Sequence, residues 1–276
     1  MSLSLQHKDN RVAGRLALIT GASGGIGLAC TQALAAEGCD VALHYGSNVT
    51  KADAIAADLR KQYPNQTFRT FAADLSDRAA ARSLVANVLA DAEFKGKPVS
   101  ILVANAGLGR RIRDVAEIGE DDWDEMMEVN SRSQFVVTKA ALAGMRAQGW
   151  GRVVLVGSIA ARGSGLNGCH YAASKGALTS MGQNLAGLLA PEGVTVNIVA
   201  PAMIGETGMI PTPKAETWER TTDLEALKAT DPGLAIAAGV PVHRLGAPEE
   251  VANALMMFVK SGYITGQEIL LAGGLK

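Results

Sequence analysis

Residues 15–27 read Arg15-Leu16-Ala17-Leu18-Ile19-Thr20-Gly21-Ala22-Ser23-Gly24-Gly25-Ile26-Gly27. The first six form an apolar run of strand length. A glycine-rich turn closes it, and a helical pattern follows from Leu28 to Glu37. Strand, glycine turn and helix together make an anion cradle. Glycines let the backbone come close to a pyrophosphate, and free N–H groups at the helix start point at it. The glycines at 21, 25 and 27, with an extra Gly24, depart from the common G-x-G-x-x-G spacing. Taken alone, such a turn can also simply join a strand to a helix.

The same alternation repeats along the chain. Apolar runs suited to strands lie near 15–20, 40–45, 67–73, 99–104, 151–158, 193–200 and 267–271. Helical patterns lie near 24–37, 50–62, 77–93, 121–147, 171–190 and 248–260. This order predicts an α/β fold: a doubly wound parallel sheet of seven strands with helices on both faces. Right-handed crossovers then put ligands at the carboxyl ends of the strands. No repeat, linker or low-complexity tract interrupts the chain, so one domain over 1–276 is expected. The rhythm breaks at about 202–246, where Pro211, Pro213, Pro232 and Pro241 separate helical stretches. An insertion there is expected to lie over the site as a substrate lid.

Composition narrows the function. With 276 residues, 48% of them hydrophobic, the chain can bury a large core. A net charge of −1 gives no basic field for nucleic acid. No uninterrupted apolar stretch reaches membrane-spanning length. Met1 to Arg15 is short and polar, unlike a secretory signal. Cys30, Cys39 and Cys169 are odd in number and lack metal-ligand spacing, which suits a reducing compartment and offers no metal site. A cytoplasmic enzyme without nucleic-acid or membrane partners is therefore expected. Cys169, two residues before Tyr171, is expected to be a small packed side chain rather than part of a site.

Ser158, Tyr171 and Lys175 follow the spacing Ser-x12-Tyr-x3-Lys. If Tyr171 opens a helix, it shares a face with Lys175. An ammonium near a phenol favours the phenolate, so a hydroxyl of reference pKa roughly 10 becomes usable near neutrality. Ser158 follows the strand pattern Val153-Val154-Leu155-Val156-Gly157. A strand end beside a helix start can join the three into a proton donor, its tuner and a hydroxyl for a carbonyl oxygen.

The ordered set Thr20-Gly21-x-x-x-Gly25-x-Gly27, Asn105-Ala106-Gly107, Asn130, Ser158, Tyr171 and Lys175 resembles the single-domain short-chain dehydrogenase/reductases. The resemblance runs from about Gly14 to about Gly274. Arg244-Leu245-Gly246-Ala247-Pro248-Glu249-Glu250-Val251-Ala252 and Gly262-Tyr263-Ile264-Thr265-Gly266-Gln267 look most like the 3-oxoacyl-thioester reductase branch of ketoreductases. The resemblance implies a Rossmann fold and hydride transfer between a nicotinamide and a carbonyl or secondary alcohol. It implies a catalytic tetrad of Asn130, Ser158, Tyr171 and Lys175, with Asn130 anchoring a relay water beside the lysine. It implies cofactor contacts at Gly21, Ser23, Gly24, Gly25, Ile26, Gly27, Asp74, Leu75, Asn105, Ala106, Gly107, Tyr171, Lys175, Pro201, Ala202, Ile204 and Thr207. Tyr45, Ser47, Asn48 and Lys51 would meet a 2′-phosphate. Two other classes stay open: a non-redox isomerase or cyclase, and a dinucleotide-sensing binding protein on the same scaffold.

Several of these residues have competing readings. Asp74 is a carboxylate for an adenine amine, or a turn cap. Asn105 ties neighbouring strands, while Gly107 leaves room for a ligand. Asn130 interrupts the helical pattern 121–147, as a side-chain or water contact that diverts the helical bonds would explain. Arg110, Arg111, Arg113 and Arg162 form a solvated face, or hold an anionic substrate group at the pocket mouth. His170 falls on a different helix face from Tyr171 and Lys175 and is read as a lining or surface residue.

Cofactor and partner choices rest on departures. The stretch Val41-Ala42-Leu43-His44-Tyr45-Gly46-Ser47-Asn48 has no acid for a ribose diol, so NADP(H) is favoured over NAD(H). Glycines stand at 24 and 46, where many NADP relatives carry arginine. Val136 and Glu192 stand where carrier-protein reductases carry docking arginines, which leaves a free ketone, polyketide or CoA thioester as the small-molecule substrate. Ala202 replaces the usual glycine after Pro201, and Gly205 looks like a one-residue insertion before Thr207. A homotetramer is expected from apolar faces at 121–147 and 171–190, with Ala140, Ala141, Ala143, Gly144, Met145, Met181, Gly182, Leu185, Leu188 and Leu189. The segment Leu270 to Lys276 would form a second interface.

Overall fold

The computed structural model describes residues 5–163, 167–219 and 221–275. Lys276, placed in the expected second interface, and Arg220, inside the expected lid, lie outside the described residues.

Seven parallel strands form one sheet: β1 (Leu16–Ile19), β2 (Asp40–Tyr45), β3 (Phe68–Ala72), β4 (Val99–Ala104), β5 (Gly151–Val156), β6 (Val194–Pro201) and β7 (Glu268–Leu271). Their spatial order is β3-β2-β1-β4-β5-β6-β7, so the order reverses between β1 and β4, where a crevice opens at the carboxyl ends. The central strands, such as β1 and β4, are buried and largely apolar on both faces because both faces are covered, while edge strand β3 leaves Arg69 exposed. Ala17 and Ile19 pack with α1 (Gly25–Ala36), α2 (Val49–Gln62) and α9 (Pro248–Val259) through Leu34, Leu59 and Phe258. Leu16 and Leu18 face the other side, with α3 (Arg78–Ala90), α5 (Ser133–Gln148) and α6 (Gly168–Leu189). Leu84, Met145 and Leu178 belong to that second core.

The expected long helix over 121–147 is two helices. α4 (Glu120–Met127) passes through a π turn at Glu128–Arg132 into α5. The Val129 carbonyl accepts from Ser133 Oγ at 2.7 Å and Gln134 Nε2 at 3.3 Å. Side chains thus take over a bond that the regular ladder would have made, and Asn130 sits inside that widened turn. α6 starts at Gly168, not at Tyr171. Gly168 has φ +76°, a value that admits glycine readily, and it turns the chain into the helix.

The proline-rich stretch holds α7 (Leu224–Thr230) and α8 (Pro232–Gly239). Asp223 caps α7 by accepting from Glu225 N, and Asp231 caps α8 by accepting from Leu234 N, both at 2.9 Å. The extra residue at 205 is absorbed locally. Gly205 N donates to Gly246 O and Gly246 N to Met203 O, both at 2.9 Å. Glu206 then takes φ +57°, a left-handed backbone uncommon outside glycine.

Candidate active site

The carboxyl ends of β1, β4, β5 and β6 open onto a cavity of about 820 Å³, a size typical of small-molecule and cofactor sites. Its β1 side is the glycine turn. A Cβ on Gly27 would collide with the Gly21 carbonyl, and one on Gly25 with the carbonyl of Glu206. No side chain fits there, so the backbone itself faces the cavity. The first amides of α1 lack intrahelical acceptors, and Gly24 supplies no side-chain cap. The chemistry of this donor set fits a pyrophosphate.

His44 fixes the turn, a role the sequence reading missed. Gly21 N donates to His44 Nδ1 at 3.0 Å, and His44 Nε2 donates to Ala73 O at 2.9 Å. Burial lowers the His44 pKa, so the ring is held as the neutral tautomer this pattern needs. Asn105 ties β1 to β4: its Nδ2 donates to Thr20 O at 2.9 Å and Gly21 O at 3.1 Å. Both halves of the crevice are therefore rigidly joined at its base.

The β5 side carries the polar trio. Tyr171 and Ser158 share a hydrogen bond. Ser158 Oγ also accepts from Ala160 N at 3.2 Å. Lys175 Nζ lies 5.9 Å from the Tyr171 ring centre and donates to Val156 O at 2.9 Å. Burial lowers the Lys175 pKa to about 8. Burial also raises the Tyr171 pKa, opposed only by the Ser158 hydroxyl. This corrects the expected ammonium-driven lowering: the phenol stands in a dry wall, and desolvation of its anion dominates.

Asn130 is fully buried behind the trio. Its Nδ2 donates to Leu108 O at 2.9 Å and Ser174 Oγ at 3.0 Å, and its Oδ1 accepts from Leu108 N at 2.7 Å. A Cβ on Gly107 would stand 3.1 Å from that Oδ1 and 3.4 Å from Lys175 Nζ. Gly107 therefore marks where the loop after β4, the π turn and α6 converge.

Gly21, Gly24, Gly25, Ile26 and Gly27 line the cavity, as do Asp74, Leu75, Asn105, Ala106 and Gly107. Ser158, Tyr171, Lys175, Pro201, Ala202, Ile204 and Thr207 complete the expected set. Ser23, Tyr45, Ser47 and Asn48 stand outside this wall. Asn48 is occupied in capping α2, accepting from Lys51 N at 3.0 Å. Asp74 lines the cavity and holds the local turn, accepting from Ser76 N at 2.9 Å and Ser76 Oγ at 2.7 Å.

Other expectations need correction. His170 is not a surface residue; it is fully buried, with neither ring nitrogen bonded among the described residues. Cys169 is exposed rather than packed. Of the apolar positions expected to be spare, Ala141, Met145, Gly182 and Leu189 are consumed in the core, while Leu188 stays 62% exposed. Thr207 Oγ1 donates to Ile204 O at 3.0 Å, which holds the loop at the cavity edge.

Comparisons with known proteins agree with this geometry. The family model for short chain dehydrogenase matches residues 15–217. Nodulation protein G of Azospirillum brasilense is 33% identical, covering 95% of this chain and 98% of the relative. The 3-oxoacyl-[acyl-carrier-protein] reductase FabG of Escherichia coli (strain K12) is 31% identical over 95% of this chain and 97% of its own. Among solved structures, a blue fluorescent protein from a metagenomic library in complex with NADPH superposes with TM-score 0.80. It is 31% identical, covering 96% of this chain and 98% of that one. A Serratia marcescens short-chain dehydrogenase/reductase gives TM-score 0.80 at 30% identity, with coverage of 96% and 98%. A glycine cradle and a Ser-Tyr-Lys trio on one cavity, matched along most of the chain, thus place this protein in the short-chain dehydrogenase/reductase family, nicotinamide-using oxidoreductases that act on carbinol or carbonyl groups.

Proposed function

We propose that the protein is an NADP(H)-dependent carbonyl reductase acting on a small ketone, with Ser158, Tyr171, Lys175 and Asn130 as its working residues. The observation that carries this reading is the meeting of the Ser158–Tyr171 hydrogen bond, buried Lys175 and the side-chain-free glycine turn on one cavity. Bound nicotinamide supplies or accepts the hydride. Ser158 and Tyr171 hydrogen-bond the carbonyl oxygen, and Tyr171 gives it a proton. The raised phenol pKa suits this direction, since the acid stays protonated at neutrality. Lys175 would hold the ribose hydroxyls and return a proton to Tyr171. Asn130 keeps the Gly107 loop against Lys175 and would order the relay water.

The glycine turn and the first amides of α1 would hold the pyrophosphate, and Asp74 and Leu75 the adenine end. Asn105, Ala106, Pro201, Ala202, Ile204 and Thr207 would flank the rest. The phosphate preference rests on β2, which ends at Tyr45 with no carboxylate to repel a 2′-phosphate. Ser47, Asn48 and Lys51 are its candidate contacts. The relative that binds NADPH is consistent with this choice. Carrier-protein docking is not favoured: Glu192 is paired with Arg146 at 2.5 Å, and Val136 packs on the core.

The stretch 202–246 would act as the lid, since Met203, Met209, Ile210 and Pro211 line the cavity. The whole chain would act as one domain. A homotetramer is proposed through the groove where Phe135, Ala177 and Met181 meet. No helix among the described residues is long and apolar enough to cross a membrane, and a cytoplasmic site of action is proposed.

The test follows cofactor absorbance with NADPH or NADH and a panel of ketones and acetoacetyl thioesters. Ketone-dependent oxidation, faster with NADPH, is expected. Oxidation of neither cofactor with any ketone would favour a sensing or non-redox role. Tighter use of NADH would overturn the argument from the missing acid.

A further inference from the structure

Arg110, Arg111, Arg113 and Arg162 read either as a solvated face or as an anion site at the cavity mouth, and their pairing separates them. Arg110 gives its guanidinium to Asp122 and Glu125 of α4. Arg162 pairs with Glu268 of β7 at 2.8 Å. Arg113 has no place in the cavity wall. Arg111 lines the cavity, and among the described residues its hydrogen bond runs from Nε to Asn167 Oδ1 at 3.3 Å. Among the described residues it meets no carboxylate. The like charge of Arg113 lies nearby and works against its cation. The terminal nitrogens keep their donors, in the fork that matches a planar oxyanion.

Asn167 fixes where that oxyanion would lie. It immediately precedes α6, and Tyr171 follows four positions later. Both residues line the one cavity, Asn167 at the entry to α6 and Tyr171 within it. Asn167 Nδ2 is turned toward Gly109, 3.5 Å from where a Cβ on that glycine would stand, and Met209 crowds the same point. Arg111, Asn167 and Gly109 thus form a polar corner of the cavity that also holds the phenol, and Met203 and Met209 line the same cavity.

We propose that Arg111 is a specificity-determining residue that binds a carboxylate carried by the substrate itself, on the same cavity as the carbonyl held by Ser158 and Tyr171. The proposal rests on the reductase reading above and narrows it to free oxo acids with a few carbons between ketone and carboxylate.

The test uses 3-oxobutanoate, 4-oxopentanoate and 5-oxohexanoate against their methyl esters, with the full chain and reduced cofactor. For at least one pair, kcat/KM is expected to favour the acid by ~10–100-fold, the worth of one charge-assisted contact. Arg111→Gln should remove that preference by raising KM for the acid, with kcat and the ester changed less than about threefold; Arg111→Lys should restore part of it. Arg113→Gln removes the same charge and should move the acid less than about threefold. Calorimetry of 4-oxopentanoate on the protein without cofactor gives a readout free of turnover, with the same loss expected in Arg111→Gln. Equal use of acid and ester, or an acid preference that survives Arg111→Gln, overturns the proposal. So does reduction of other ketones but of no oxo acid. If no ketone turns over at all, the reductase reading fails. Calorimetry then judges Arg111 by itself, and absent or unchanged acid binding overturns it.

Discussion

Two buried cations lie at opposite ends of β5, and they serve different ends. Arg152 near its start is 3% exposed, and Lys175 beside its carboxyl end is 4% exposed. Neither has a carboxylate partner among the described residues, and burial lowers both, to about 10 for Arg152 and about 8 for Lys175. Their hydrogen bonds differ. Arg152 donates to Val259 O at 3.2 Å, Gly151 O at 2.9 Å and Asp9 O at 3.0 Å, and it lies over the Trp150 ring at 4.2 Å. Lys175 donates to Val156 O alone and faces the cavity. A buried charge is thus not by itself a sign of chemistry. Donors left unused toward a cavity are the sign, and Arg152 has spent its own on holding the N-terminal segment and α9 to the sheet.

The largest expected effect lies at the Lys175 end. Tyr171→Phe should lower kcat by ~10³-fold while cofactor affinity by fluorescence titration and melting temperature stay near wild type. At the other end, Arg152→Met should leave kcat per folded molecule within about twofold. It should cost about 2–4 kcal/mol in urea unfolding, because two buried carbonyls, of Gly151 and Val259, lose a donor. Reversal of these two outcomes would break the comparison.

A pH profile sharpens it. Lys175 is protonated below about 8 and neutral above. Reduction consumes a proton, so kcat/KM for reduction should fall by roughly tenfold per pH unit as pH rises past that value. Lys175→Arg should abolish that limb, since a guanidinium stays charged. A profile flat to pH 10 would mean the lysine does not supply the proton.

The smallest effects come from one glycine beside each cation. A Cβ on Gly107 would stand 3.4 Å from Lys175 Nζ, and one on Gly262 would stand 2.6 Å from Arg152 Nη2. Gly107→Ala should lower kcat by a few-fold and Gly262→Ala should lower stability by about 1 kcal/mol, with little crossing between the two readouts. Steady-state rates and melting curves on both variants check this.

Much of this frame is legible in the chain. Each strand is an apolar run, because a doubly covered parallel sheet demands it, and the glycine turn is written in residues that only a close backbone needs. The trio is legible because Tyr171 and Lys175 share a helix face and Ser158 ends a strand. Asn130 announced the broken helix, since asparagine is a poor interior residue there. Tertiary pairing is what the chain conceals. Nothing local to Arg110 says that Asp122 and Glu125 will neutralise it, so Arg111 could not be singled out. The grip of His44 on Gly21 joins positions 23 residues apart. The direction of the Tyr171 shift depends on how dry its wall is, which spacing does not encode.

The most direct measurement of the central claim uses reduced cofactor carrying deuterium on both C4 positions of its nicotinamide. Mass spectrometry then reads the product formed from a ketone by the wild type and by Tyr171→Phe. The account predicts one deuterium on the new carbinol carbon with the wild type and almost no product with the variant. Product without the label, or labelled product formed at an undiminished rate by Tyr171→Phe, would contradict hydride transfer governed from the carboxyl end of β5.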